Sequence, residues 1–415
     1  MKKLLSVVLS LVMIASCAGI TAFADSDSDG TSYPYVFVHG MMGWGSYDGI
    51  NDLVPYWGGT NGDMLEDLQA MGIECYAASV GKISSNWDRA CELYAQLTGT
   101  VVDYGEAHSA AHGHARYGRS YEGNALMDTF GQTDENGELI KINLIGHSLG
   151  GPTVRLFTWL LENGSEEEQA ASGDDVSDFF TGGKGDYVYS VTTMSAPHNG
   201  TPASNILYDE LPTAYMLALM GNVLGTTALS SVWDFQLEQY GLTTVSSQGI
   251  KGKLSFSGIK SLVTSDDNCG YDLTIRGAAA LNEMIDTVDG VYYFSYTGQQ
   301  VSENSDGTYS PPITMFPLFT LLSYKIGHFD GEVYDGVEMT AEWRENDGIV
   351  PVISALYPFD EEYVYYEDIS EDEIQTGVWN VMPVIENFSH VGYMGMDTSD
   401  FEYIYVNQIE LINSL

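Results

Sequence analysis

The chain has 415 residues, with 58 Asp and Glu against 15 Lys and Arg and a formal net charge of −43 at pH 7. That sign excludes nucleic acid as a partner and disfavours anionic membrane surfaces, while neutral partners stay open. The stretch 25–415 is long enough for two domains, but neither a Pro-rich linker nor a repeat divides it, so one enlarged domain with insertions is expected.

At the start of the chain, Lys2-Lys3, an apolar run from Leu4 to Ile20 and the small-x-small end Ala22-Phe23-Ala24 form a secretory signal over residues 1–24, with cleavage after Ala24. The run is too short to be read as a membrane span, so a secreted, extracellular protein without a stable transmembrane segment is expected. Ile14-Ala15-Ser16-Cys17 also resembles a lipoprotein processing box, which leaves a lipid tether through Cys17 as an alternative. Downstream lie Cys75, Cys91 and Cys269, an odd count, so disulfides are not expected to be the main source of stability.

Tyr35-Val36-Phe37-Val38 reads as an early strand, and the loop His39-Gly40-Met41-Met42-Gly43 follows it. The next clear strand, Ile142-Asn143-Leu144-Ile145, runs into Gly146-His147-Ser148-Leu149-Gly150 and then a helical pattern ending near Glu162-Asn163-Gly164. Gly-x-Ser-x-Gly between strand and helix is the pattern of a nucleophile elbow, a turn too sharp to admit side chains at its flanks. A third strand-like run spans Tyr187 to Met194, and together these elements predict an α/β architecture with a mostly parallel central sheet.

If Ser148 is a nucleophile, this chain order calls for an acid and then a base after it. Of the eight His, only His198, His328 and His390 follow Ser148. His198 comes directly after a strand and is read as part of the pocket wall. Asp347, in the charged turn Glu345-Asn346-Asp347-Gly348, is the candidate acid, and His390 alone follows it. An acyl-transfer site also needs two amides aimed at a developing oxyanion. Leu149, after the nucleophile, and Met41, in the early loop, are the candidates. The acid-rich stretches Asp360–Glu362 and Glu371–Glu373 are read as a solvated face.

Long blocks of the chain resemble the large secreted bacterial triacylglycerol lipases of the staphylococcal and thermophilic Bacillus-type, zinc-containing group. They include His39 to Trp44, Tyr56-Trp57-Gly58-Gly59, Ser84 to Glu92, His108 to Arg119, Tyr271-Asp272-Leu273 and Trp343 to Val350. The resemblance implies an α/β-hydrolase fold with a zinc-binding insertion and a helical lid, and Ser148, Asp347 and His390 as the triad. It implies a structural zinc held by Asp88, His108, His114 and Asp272, a closed shell of two nitrogen and two oxygen ligands with no open position for a catalytic water. It also implies calcium near the base, with Asp397 as one ligand. Gly392, however, stands where the thermophilic relatives carry a Glu, which removes an oxygen donor.

The lid or insertion is expected over residues 202–269, where the apolar run Ala214 to Met220 reads either as a core helix or, with the resemblance, as a cover over an acyl pocket. The implied activity is hydrolysis of neutral acylglycerol esters at a lipid–water interface through an acyl-serine. A carboxylesterase or phospholipase using the same triad is the second reading. A non-catalytic surface protein with the hydrolase fold is the third.

Overall fold

A computed structural model describes residues 32–207, 233–242, 258, 260–262 and 265–415. Residues 1–24, Cys17 and the apolar run Ala214 to Met220 lie outside the described residues. Among those described, no helix is long and apolar enough to cross a membrane.

Seven strands form the central sheet: β1 (Tyr35–Val38), β2 (Cys75–Ala78), β3 (Ile142–His147), β4 (Val188–Met194), β5 (Tyr292–Tyr296), β6 (Tyr363–Tyr365) and β7 (Trp379–Val381). Their spatial order is β6-β7-β5-β4-β3-β1-β2, and every adjacent pair is parallel. A parallel sheet must be covered on both faces, which is why its strands read as nearly unbroken apolar runs. This is the α/β-hydrolase arrangement the sequence predicts, with the elbow at the end of the inner strand β3.

The period-two alternation of side chains divides the core. Val36, Val38, Leu144 and Val191 face α1 (Asn86–Thr98) and α3 (Gly150–Asn163), where they meet Leu93, Leu97, Phe157 and Leu160. Tyr35, Phe37, Ile145 and Phe294 face the other way and meet Ile404, Tyr405 and Ile409 of α4 (Glu402–Ser414). Between α1 and β3, the short helix α2 (Glu106–His112) ends at Gly113 in the left-handed conformation. The described residues between 233 and 262 pack Phe235, Leu237, Tyr240, Leu242 and Leu262 into a separate apolar cluster with Leu149. The Leu149 side chain therefore forms part of the seat on which these residues rest.

Cys75, Cys91 and Cys269 are buried free thiols. Not all of the acid-rich stretch is solvated: Glu361 accepts from Arg155 Nη2 of α3 at 2.9 Å and from Trp379 Nε1 at 2.5 Å, so it joins α3 to β7.

Leu160 is fully buried between α3 and the sheet. Leu160→Ala is expected to lower unfolding free energy by about 2–5 kcal/mol, measured by urea denaturation, because the cavity adds to the lost apolar transfer.

Candidate active site

Ser148 stands between the end of β3 at His147 and the start of α3 at Gly150. Its φ is 56°, in the left-handed region that a residue with a side chain seldom occupies. The surroundings hold it there: its amide donates to the Met194 carbonyl and its own carbonyl accepts from the Gly151 amide, both at 2.9 Å. The flanking glycines are required by close approach. A Cβ on Gly146 would lie 2.5 Å from the Gly150 carbonyl oxygen, and one on Gly150 would lie 2.1 Å from the Val38 carbonyl oxygen.

Asp347 and His390, 43 residues apart, meet directly. His390 Nδ1 donates to Asp347 Oδ2 at 2.7 Å, and the His390 amide donates to the Asp347 carbonyl at 2.9 Å. The other carboxylate oxygen of Asp347 accepts from the amides of Ile349 and Val350 at 3.1 and 2.9 Å. A carboxylate fixed on both oxygens cannot rotate away, and it leaves His390 with its proton on Nδ1 and a lone pair on Nε2. The elbow is joined to this pair through His147, whose Nε2 donates to the His390 carbonyl at 2.9 Å.

The early loop has few amides to offer. Gly40 N–H donates to Tyr56 Oη at 2.9 Å, Met42 N–H to the Lys82 carbonyl at 2.8 Å and Gly43 N–H to the Gly40 carbonyl at 3.1 Å. Among the described residues, the amides of Met41 and Leu149 have no such acceptor. The strand leading to this loop is held by Arg89 of α1, which donates from Nη2 to the His39 carbonyl, from Nη1 to the Gly81 carbonyl at 2.6 Å and from Nε to Thr153 Oγ1 at 2.9 Å. Burial brings the Arg89 pKa down to about 10, so the guanidinium stays charged at neutral pH.

One residue earlier on α1, Asp88 belongs to a second cluster. The ligand atoms of Asp88, His108, His114 and Asp267 all lie within 4.8 Å of one another. His108 Nε2 is 3.3 Å from Asp88 Oδ1 and 3.4 Å from Asp267 Oδ1, and His114 Nε2 is 3.2 Å from Asp267 Oδ2. Four ligands each about 2.0 Å from a tetrahedral ion stand roughly 3.3 Å apart, so the spacing fits a metal. Asp88 Oδ1, His108 Nε2 and His114 Nε2 are also buried without hydrogen-bond partners, which a bound cation would supply. His114 Nδ1 donates to the Ala115 carbonyl at 2.9 Å, fixing the tautomer that leaves Nε2 free to ligate. Burial, reinforced by the Asp267 carboxylate, pushes Asp88 upward, a conflict that a cation removes.

The fourth ligand expected from the sequence, Asp272, is not in this cluster. It lies at the end of the short helix Cys269–Asp272, where its Oδ2 accepts the Asn86 amide at 2.5 Å, at the first turn of α1. Burial pushes its carboxyl up to about 7. Asp267, before that helix begins, stands in the cluster instead. His198 is buried beside Thr193 and against the Trp379 ring, whose centroid is 4.6 Å away.

A family model described as "Lipase-like, C-terminal domain" matches residues 31–412. The chain belongs to this lipase-like family. Lipase 2 of Staphylococcus aureus is 37% identical over 376 residues, covering 89% of this chain and 51% of that protein. The lipase of Staphylococcus epidermidis is 37% identical over 372 residues, covering 88% of this chain and 50% of that one. The chain thus spans about half the length of the curated relatives it matches. Staphylococcus hyicus lipase superposes with a TM-score of 0.76 at 30% identity, covering 94% of this chain and 98% of that one. EstA from Clostridium botulinum superposes with a TM-score of 0.77 at 34% identity, covering 96% and 90%.

Within this lipase-like chain the calcium expectation meets an altered loop. Asp397 accepts from the Ser389 hydroxyl at 2.6 Å, and that hydroxyl in turn accepts the Gly392 amide at 2.9 Å. A Cβ at Gly392 would approach the Phe388 ring to 2.9 Å, so an acidic side chain there needs that ring to move. Gln239 and Tyr240 were not singled out in the sequence, yet they complete the metal cluster's surroundings. Gln239 Nε2 donates to Asp88 Oδ2 at 2.8 Å and Tyr240 Oη to Asp267 Oδ2 at 2.7 Å.

Two outcomes follow from these contacts. Gly150→Ala is expected to destabilise the fold by about 1–3 kcal/mol or more in urea titration, because its Cβ meets backbone that cannot yield. In elemental analysis of purified protein, Asp267→Ala is expected to lose stoichiometric metal while folded Asp272→Ala retains it.

Proposed function

We propose that the chain is a secreted lipase, released after removal of residues 1–24 and acting through residues 25–415 as one domain, which hydrolyses esters of neutral acylglycerols. The observation that carries this reading is the pairing of Asp347 with His390 at 2.7 Å, joined through the adjacent His147 to a serine held at φ 56°. His390 Nε2 takes the proton of Ser148 as Oγ attacks the ester carbonyl, and Asp347 stabilises the resulting imidazolium. The Met41 and Leu149 amides receive the negative charge that develops on the carbonyl oxygen. The alcohol leaves with the proton from His390, and water activated by the same imidazole releases the acid from Ser148. An uncharged glyceride suits a chain of net charge −43, which would repel an anionic substrate surface.

For the metal, the donor set of two imidazoles and two carboxylates at tetrahedral spacing supports zinc. All four positions are filled by protein, so its role is to cross-link α1, α2 and the insertion. Calcium at Asp397 has weaker support, because that carboxylate already accepts the Ser389 hydroxyl and Gly392 adds no side-chain oxygen.

A fluorophosphonate probe should label the wild type and leave Ser148→Ala unlabelled, with ester turnover reduced roughly 10⁴- to 10⁶-fold. Labelling that survives the substitution would remove Ser148 from the mechanism. Rates on tributyrin, triolein and phosphatidylcholine separate the readings: activity on both glycerides supports a lipase, tributyrin alone a carboxylesterase, and preference for phosphatidylcholine a phospholipase.

A further inference from the structure

His147 precedes the nucleophile and has no part in the chemistry above, yet both of its ring nitrogens are engaged. Nε2 lies 2.9 Å from the His390 carbonyl oxygen and Nδ1 lies 2.7 Å from Tyr56 Oη. A carbonyl only accepts, so the proton is on Nε2. Burial holds the His147 pKa well below the usual imidazole range, so the ring is neutral and Nδ1 accepts. Tyr56 must then donate to Nδ1, and it can do so because burial pushes its phenol above the ordinary range, keeping it protonated. The same hydroxyl oxygen accepts the Gly40 amide at 2.9 Å.

The bonds therefore run in one direction, from Gly40 N–H to Tyr56 Oη, from Tyr56 O–H to His147 Nδ1 and from His147 Nε2–H to the His390 carbonyl. We propose that Tyr56 and His147 are positioning residues, which set the Met41 amide and the His390 imidazole in register with Ser148 through this single hydrogen-bond chain. The inference rests on the serine-hydrolase reading above and extends it to residues that touch neither substrate nor the reacting atoms. The chain begins at the residue before Met41 and passes through the residue before Ser148. It ends on the backbone of the base.

The two ends differ in their other support, and at the first the Gly40 carbonyl accepts from the Gly43 amide at 3.1 Å and from His39 Nδ1 at 2.8 Å. Among the described residues, the His390 backbone makes one further hydrogen bond, from its amide to the Asp347 carbonyl. Gly40 sits against the nucleophile: a Cβ there would lie 2.8 Å from Ser148 Cβ and 3.1 Å from Tyr56 Oη. A shift of Gly40 therefore moves Met41 against Ser148 directly. The Tyr56 ring also packs at 5.0 Å from Trp57 and 5.5 Å from Trp44. Phe at this position keeps those ring contacts and removes only the hydroxyl.

The test compares wild type, Tyr56→Phe, His147→Gln and the double variant on the soluble ester p-nitrophenyl butyrate, with active sites counted by fluorophosphonate titration. Counting sites separates positioning from folding, since misfolding lowers the number of sites but leaves the rate at each surviving site unchanged. Tyr56→Phe is expected to lower kcat per titrated site roughly 10- to 100-fold with KM within about twofold, because a misplaced oxyanion donor acts on the transition state alone. His147→Gln, which keeps an amide near the Nε2 position but loses the Tyr56 bond, should show the same pattern even if Tyr56→Phe folds poorly. The double variant should be no worse than the more impaired single variant, because both cut one chain. Unchanged kcat per site in the singles, or multiplicative losses in the double, would overturn the inference. Absence of any labelling in the wild type would instead overturn the hydrolase reading, and the inference with it.

Discussion

The site depends on a buried charge. Arg89 brings a guanidinium to the end of the sheet and donates to two backbone carbonyls, at His39 and Gly81, and to Thr153 on α3. Without it, both carbonyls would be buried near apolar helices with nothing to accept from, and the loop carrying Met41 would lose its anchor. Among the described residues no acid pairs directly with Arg89, so its charge rests mainly on carbonyl dipoles, and the Glu92 carboxyl one helical turn on is mostly uncharged at neutral pH. Burial pushes that carboxyl up to about 8. The residue before Arg89, Asp88, belongs to the cluster with His108, His114 and Asp267 that could hold a metal. One turn of α1 thus serves both the loop that carries Met41 and the Asp–His cluster.

The elements legible in the sequence were those in which geometry dictates residue type. A fully buried parallel sheet requires unbroken apolar strands, and an elbow that brings β3 within contact of α3 leaves no room for a Cβ at Gly146 or Gly150. Chain order among few histidines singled out Asp347 and His390, which meet at 2.7 Å. What the sequence did not show was set by packing over short distances. Asp267 and Asp272 are both acids at the edge of one short helix, and only the path of that helix decides that Asp272 meets the Asn86 amide while Asp267 meets the histidines. Tyr56 is one of 28 tyrosines, and nothing in its neighbourhood of sequence separates a phenol in a hydrogen-bond chain from one that only packs.

The same limit explains the acidic surface. Runs of Asp and Glu read as solvated by default, and most of residues 360–373 are exposed or half-buried. Glu361 departs because α3 places Arg155 opposite it and Trp379 supplies an indole N–H, so a single acid in the run becomes a joint between helix and sheet. With 15 basic residues for 58 acidic ones, cations are scarce, and several of them stand at such joints. Lys82 pairs with Asp48 at 2.7 Å in the interior, and Arg119 joins the insertion through Asp234 and Glu238. In such a chain, position rather than number decides what a positive charge does.

The metal cluster has a topological consequence. The insertion reaches it at Gln239 and Tyr240, continues past Leu242, and comes back to it at Asp267. Tyr240 and Asp267 thus meet at one point, and an ion bound there would close the chain between them as a ring, restricting the unfolded chain much as a crosslink would. Disulfides do this in many exported proteins, but the thiols of Cys75, Cys91 and Cys269 are buried and unpaired. A ring closed by coordination is indifferent to reductants and opens to chelators. The tie between Tyr240 and Asp267 would then depend on the supply of an ion, not on the redox state of the surroundings.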